Sequence, residues 1–127
     1  MRTGEVRVAV FARAPIPGRC KTRLIPRLGP AGAAALQTQL VERTLCTALA
    51  AGLGPVSLWC APDRGHPFFA ELSARLRVAL HDQRGADLGA RMLDAFERLT
   101  PAGPVLLVGT DCPMLVPGLL ADCARRL

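Results

Sequence analysis

The chain has 127 residues, half of them apolar, so it is long and apolar enough for one domain with a real core and cannot be a disordered chain. Its 12 Gly and 11 Pro follow no fixed period, which excludes a collagen-like or mucin-like protein. Lys and Arg number 16 against 10 acids, and the excess is confined to residues 6–41, where Arg7, Arg13, Arg19, Lys21, Arg23 and Arg27 meet no acid; a focused excess of this kind points to an anionic partner.

The first element predicted is a buried strand over Val6 to Ala12, β-branched and apolar. Only about six apolar residues precede Arg13, too few for the ~7–15 of a signal peptide. Arg13 to Gly29 reads as a long loop, because Pro15, Pro17, Pro26, Gly18 and Gly29 break regular structure. Pro30 suits the first turn of a helix running to about Ala51, with Leu36, Leu40, Thr44 and Ala48 in line and Val41, Leu45 and Leu49 beside them. Gly52 and Gly54 end it. Pro55 to Ala61 is a second strand, and Pro67 opens a short helix with Phe68, Leu72 and Leu76 in line. Arg77 to His81 is a short third strand. A helix from about Ala86 to Leu99 carries Leu88, Met92, Phe96 and Leu99 on one face. Pro104 to Gly109 is the fourth strand, and a last helix holds Leu119, Leu120, Cys123 and Leu127.

The order β-α-β-α-β-α-β-α predicts one domain over residues 1–127, with a parallel sheet, right-handed crossovers and helices on both faces. No apolar run approaches the ~18 residues of a membrane span. The five cysteines, Cys20, Cys46, Cys60, Cys112 and Cys123, are odd in number and lack a C-x-x-C pair, so neither a disulfide framework nor a structural zinc site is expected, and the protein is expected in the cytoplasm.

Open parallel sheets bind ligands beyond the carboxyl ends of their strands, and three loops there are unusual. Arg13 to Arg23 has four cations and no acid; Gly18 permits close backbone approach, and Lys21, the only lysine of the chain, stands beside Thr22 and Arg23. This is a phosphate cradle or else a solvated basic loop, but not a Walker A loop, since Cys20 holds the position before Lys21-Thr22 that needs glycine. In Gln83-Arg-Gly-Ala-Asp-Leu-Gly89, the Gln83 amide can read a base edge with its paired donor and acceptor. Gly85 and Gly89 leave room for the backbone to approach a ligand, and Asp87 is either a helix N-cap or a ligand contact. In Gly109-Thr-Asp-Cys-Pro113, Asp111 is either an N-cap or a carboxylate placed to hold Mg²⁺ against phosphate oxygens. His66 reads as a loop residue, His81 as structural and Trp59 as core. Asp63 could touch a ribose but reads equally as an ordinary loop start. Aromatic side chains are too scarce to favour nucleic acid, which binds single strands on such platforms.

Together, Phe11 to Leu24, Gln83 to Met92 and Gly109 to Pro113 resemble the glycosyltransferase A-like bacterial proteins of the radical-SAM- or selenium-associated type. More distantly they resemble the molybdenum-cofactor and 2-phospholactate guanylyltransferases and the sugar-phosphate uridylyltransferases. The resemblance spans residues 6–120 with the three motifs in order. It implies the nucleotide-diphospho-sugar transferase fold, a Rossmann-like α/β/α sandwich with strand order 3-2-1-4. It implies a nucleotide or nucleotide-sugar substrate on Ala12, Arg13, Gly18, Lys21, Arg23, Gln83, Gly85, Asp87 and Gly89. It implies Mg²⁺ or Mn²⁺ on Asp111, with Lys21, Arg23 and Asp111 as the catalytic groups and a small-molecule acceptor of unstated identity. Relatives continue into further strands, so the chain is expected to be C-terminally incomplete. The first loop also departs from the pattern in having no clear Gly-x-Gly. The alternative is a non-catalytic nucleotide-binding remnant, with a homodimer covering the open sheet edge. A nucleic-acid-binding module built on the basic stretch is the third reading.

Overall fold

The continuous apolar run within Arg7–Arg13 makes this segment strand β1, with Val8 to Ala12 all buried because both faces of the sheet are covered. In the computed structural model, which describes residues 6–18 and 25–110, the further elements are α1 (Ile25–Ala51), β2 (Val56–Ala61), α2 (Pro67–Leu76), β3 (Ala79–Asp82), α3 (Leu88–Leu99), a 3₁₀ turn (Thr100–Ala102) and β4 (Val105–Gly109). The sheet is parallel throughout, as expected from the alternation of strands and helices, and its order β3-β2-β1-β4 is the one the family resemblance implies. The predicted last helix lies outside the described residues. No helix among the described residues is long and apolar enough to cross a membrane.

Helices cover both faces. Val8, Val10, Ala12, Leu58 and Cys60 pack with Val41, Leu45 and Ala48 of α1 and Phe69 and Leu72 of α2. On the other face Ala9, Phe11, Trp59 and Val105 pack with Ala95, Met92, Phe96 and Leu99 of α3. Each large apolar side chain fully buried in these layers contributes about 1.5–3 kcal/mol.

Several element details differ from the sequence expectations. The long loop is shorter, because Ile25–Leu28 already form a helical turn; Gly29, at φ 73° and ψ 165°, interrupts it, and Pro30 opens the continuous part. The buried stripe of α1 is Ala33, Ala34, Gln37, Val41, Thr44, Leu45 and Ala48, whereas Leu36 and Leu40 are half-buried and Leu49 is exposed. The buried face is thus rotated toward Ala33, Gln37 and Val41. Strand β3 starts at Ala79, not Arg77, because Arg77 is the left-handed cap of α2 at φ 58°. In α2 it is Phe69, not Phe68, that is fully buried with Leu72. His66 is no mere loop residue: its Nδ1 accepts from the Phe68 N–H and caps α2. Leu88 is 63% exposed: it shares the helical line of Met92 and Leu99 but is the first residue of α3 and is not part of the core that they join.

Candidate functional site

The carboxyl ends of the strands carry the candidate residues. At this rim β1 and β2 stay paired to Arg13↔Ala61, while β1 and β4 pair to Phe11↔Gly109 and β4 ends before Thr110. The chain leaves β1 toward β2 on one side and reaches β4 on the other, so the two neighbours flank the point where the strand order reverses. That is the place where open α/β sheets form their ligand crevice.

Ala12 is buried at this rim and Arg13 is exposed. The Ala14 N–H donates to the Ala61 carbonyl at 2.7 Å, so the chain keeps its extended course for one more residue. The turn at Pro17-Gly18 follows, with Gly18 at φ 84° and open space around it, a conformation that a side chain would strain. Lys21 and Arg23 come next in the chain and lie outside the described residues, as do Cys20, Asp111 and Cys112. Thr110, the residue before Asp111, is buried.

Gln83 reaches back over the sheet. Its Nε2 donates to the Trp59 carbonyl at 2.9 Å and to the Ala12 carbonyl at 3.3 Å, and its backbone N–H donates to the Cys60 carbonyl. Both partners of the side chain are carbonyls, so the amide nitrogen must face them and its two N–H groups are engaged. The expected donor–acceptor pair for a base edge is therefore reduced to its acceptor, Oε1.

The glycines of the same motif differ. A Cβ on Gly85 would stand 2.7 Å from the Arg91 nitrogen and 2.8 Å from two Ala90 atoms, so the first turn of α3 fills the space expected for a ligand. The Gly85 carbonyl also accepts from Arg91 Nε at 3.1 Å. Gly89 has only an ordinary contact at 3.5 Å, and its flank is open. Asp87 takes the N-cap role, its Oδ1 accepting from the Ala90 N–H at 2.8 Å.

Below the rim, Phe11, Trp59 and His81 share one register row across β1, β2 and β3. The Trp59 ring stacks on His81 at 4.5 Å and on Phe11 at 6.1 Å, and the Arg98 guanidinium lies 4.6 Å over it. Arg98 is held by Asp94 at 3.2 Å and donates to the Asp82 carbonyl at 3.4 Å. His81 and Trp59 thus have the structural roles expected of them. Burial pushes the His81 pKa down, and the charges of Arg98, Arg64 and Arg84 push it further, against the opposing pull of Asp82. Burial, with Asp82 beside it, raises the Cys60 thiol to about 12.

The carboxylates of the described rim are engaged with backbone: Asp82 Oδ1 accepts from the Arg64 N–H and Asp63 Oδ1 from the Gly65 N–H, each at 2.8 Å. The ribose contact considered for Asp63 finds instead a turn within its own loop. Among the described residues no group of three or more His, Cys, Asp or Glu could hold a metal ion. Asp111, the residue the sequence offers for a metal, lies outside the described residues.

One participant was missed in the sequence. Gln37 of α1 is 3% exposed, and its Nε2 donates to the Arg13 carbonyl at 2.8 Å. Its only sequence signal is a polar residue inside the apolar stripe of α1, which a hydrophobicity pattern reads as a stripe boundary.

The family model described as "Uncharacterized protein conserved in bacteria (DUF2064)" matches residues 44–127, well over half of the chain. The chain belongs to this family. No protein of established annotation matches it. Among solved structures, this DUF2064 member is similar to a crystal structure described as a "putative nucleotide-diphospho-sugar transferase" from Desulfovibrio desulfuricans G20, with 28% identity and a TM-score of 0.83. The match covers 97% of this chain and 54% of that one, so the family member spans about half the length of the solved protein. The fold is therefore the nucleotide-diphospho-sugar transferase type expected from the three motifs.

Proposed function

We propose that this chain binds a nucleotide di- or triphosphate, free or sugar-linked, at the carboxyl rim of its sheet and serves as the nucleotide-binding part of a metal-dependent nucleotidyl- or glycosyltransferase. The observation that carries this is the strand order 3-2-1-4, which puts the exit of β1, with its acid-free basic segment, next to the exit of β4 at the reversal point. The similar transferase structure supports the same reading. The guanylyltransferases for molybdenum cofactor and 2-phospholactate, and the radical-SAM-associated bacterial proteins, are the relatives whose chemistry it would share. The acceptor is a small molecule, and the setting is the cytoplasm, where free thiols such as Cys46 and Cys60 stay reduced.

In this reading the residues divide the nucleotide between them. Ala12, Arg13 and Gly18 bring backbone and one cation to the phosphates, and Lys21 and Arg23 supply the remaining positive charge. Gln83 offers Oε1 to an N–H of the base, since its own N–H groups are held by Ala12 and Trp59. Gly89 leaves the start of α3 open to the ligand, whereas Gly85 and Asp87 contribute by fixing that start in place. Asp111 would hold Mg²⁺ or Mn²⁺, which when bound offsets negative charge on the phosphate oxygens. Transfer by positioning and charge stabilisation needs no general base from this chain.

The test is thermal unfolding of the purified chain with GTP, CTP, UTP, ATP and UDP-sugars, each with and without Mg²⁺ or Mn²⁺. A nucleotide present at 100 times its Kd stabilises by about 2.7 kcal/mol, a shift that is easily read. Asp111→Asn is expected to abolish the metal-dependent part. No shift with any nucleotide, with or without metal, refutes the proposal. Nucleotide binding without turnover, accompanied by dimerisation through the sheet edge, would instead favour a non-catalytic remnant.

A further inference from the structure

Successive residues of a strand point their backbone groups to alternate sides. In β1 the N–H groups of Val8 and Ala14 donate toward the β2 side, to Pro55 and Ala61, while that of Arg7 donates toward the β4 side, to Pro104. Arg13 shares the parity of Arg7, so its carbonyl faces the β4 side. There it meets no β4 partner among the described residues, because β4 ends at Gly109 and Thr110 is already outside the strand. What it meets is Gln37 Nε2, at 2.8 Å, from the helix packed on the sheet face. A buried amide in a mostly apolar stripe has displaced packing to be there, and a buried polar group of this kind is kept where its partner requires it.

From this placement we infer that Gln37 is the positioning residue of the crevice: its side-chain amide gives the Arg13 carbonyl the donor that no described residue of β4 gives it. It thereby holds β1 beyond its last pair with β4, Phe11↔Gly109, and fixes the direction in which the chain leaves the strand at Arg13. Gln83 secures the preceding carbonyl, that of Ala12, so two glutamines from different elements hold consecutive residues of the strand exit. Gln37 touches neither ligand nor reacting atoms. It acts through Arg13 on the residues that follow, and its importance for binding rests on the function proposed above.

The substitution that tests this is Gln37→Met, close in volume and lacking the donor. Its control is Val41→Ala, a fully buried position one turn further along α1 whose apolar side chain makes no hydrogen bond to the strand exit. Two readouts are taken on folded protein: affinity for magnesium pyrophosphate and for the nucleoside triphosphates, and hydrogen exchange of the Ala14 and Ile16 amides, both hydrogen-bonded in the native chain. Gln37→Met is expected to weaken phosphate binding roughly tenfold, as small misplacements of binding groups do, and to speed exchange at Ala14 and Ile16. Val41→Ala is expected to change neither. If Gln37→Met leaves the exchange of Ala14 and Ile16 at the wild-type rate, or if Val41→Ala alters binding and exchange as much, the inference is overturned. Absence of phosphate binding by the wild type overturns the proposed function instead, and exchange alone then decides the role of Gln37. Should the methionine variant not fold, Gln37→Asn, whose shorter amide cannot reach Arg13, carries the same comparison.

Discussion

Gly85 and Gly89 belong to one seven-residue motif, yet alanine is expected to act on them with opposite sign. At Gly85 the added Cβ would lie 2.7 Å from the Arg91 nitrogen and 2.8 Å from the Ala90 carbonyl carbon and Cβ. The Arg91 N–H is itself hydrogen-bonded to the Asp87 carbonyl at 3.0 Å, so the helix start cannot retreat without loosening that bond. Overpacking of this kind costs about 1–3 kcal/mol. The backbone angle, φ 144°, adds a penalty of about 1–3 kcal/mol for a non-glycine residue. With partial relaxation the sum is about 3 kcal/mol, which for a domain of this size lowers Tm by roughly 10 °C. At Gly89 the nearest atom is Asp87 Oδ1 at an ordinary 3.5 Å and the residue is helical, so alanine is expected to raise stability by about 0.5–1 kcal/mol. Thermal and urea unfolding of both variants measure this directly. A Gly85→Ala protein that melts within about 2 °C of wild type would show that α3 does not occupy the space above Gly85. A Gly89→Ala protein that gains stability but loses its nucleotide-induced shift would place the ligand against that glycine.

Other expectations follow from the same contacts. Asp87→Ala removes the N-cap of α3 and is expected to cost about 1 kcal/mol, read as a lower urea midpoint with unchanged slope. The folded pKa of His81 lies below the ordinary 6.5, so the unfolded chain takes up that proton first; stability is expected to fall as pH drops through 6.5 and to level off once the folded imidazole is also protonated. His81→Leu should flatten that part of the profile, and an unchanged slope would disprove the assignment. Alkylation of native protein near pH 8 followed by peptide mapping should modify the exposed Cys46 and spare Cys60, whose thiol is buried and raised to about 12.

The parallel sheet and the rim were legible because β-branched runs separated by helical stripes admit few topologies, and parallel sheets place loops such as Gln83–Gly89 at one end; the strand order followed only from the resemblance of the three motifs to a known family. The N-cap role of Asp87 was legible as one of two readings, since an acid just before a helical stripe has a local reason to be there. What could not be read were choices made by distant atoms. Gln37 looks like a break in the apolar stripe until the carbonyl of Arg13, 24 residues away in sequence, is seen to need a donor. Gly85 looks like room for a ligand until α3 is built against it. Arg77 stands at the head of the third strand on paper, directly before Val78-Ala-Leu80, but its left-handed backbone ends α2 first. The base-reading capacity of Gln83 halves only once Trp59 and Ala12 are known to accept from it.

The indole at position 59 gives the molecule an optical reporter of its own. It is the single tryptophan in a chain without tyrosine, so its emission is uncontaminated. Its backbone oxygen holds the Gln83 amide, its ring faces an imidazole, and a guanidinium hangs above it. Any occupant that draws on Gln83, or any proton that settles on the imidazole, changes the surroundings of that one fluorophore. Occupancy of the rim can therefore be followed in the unlabelled wild-type chain by light alone.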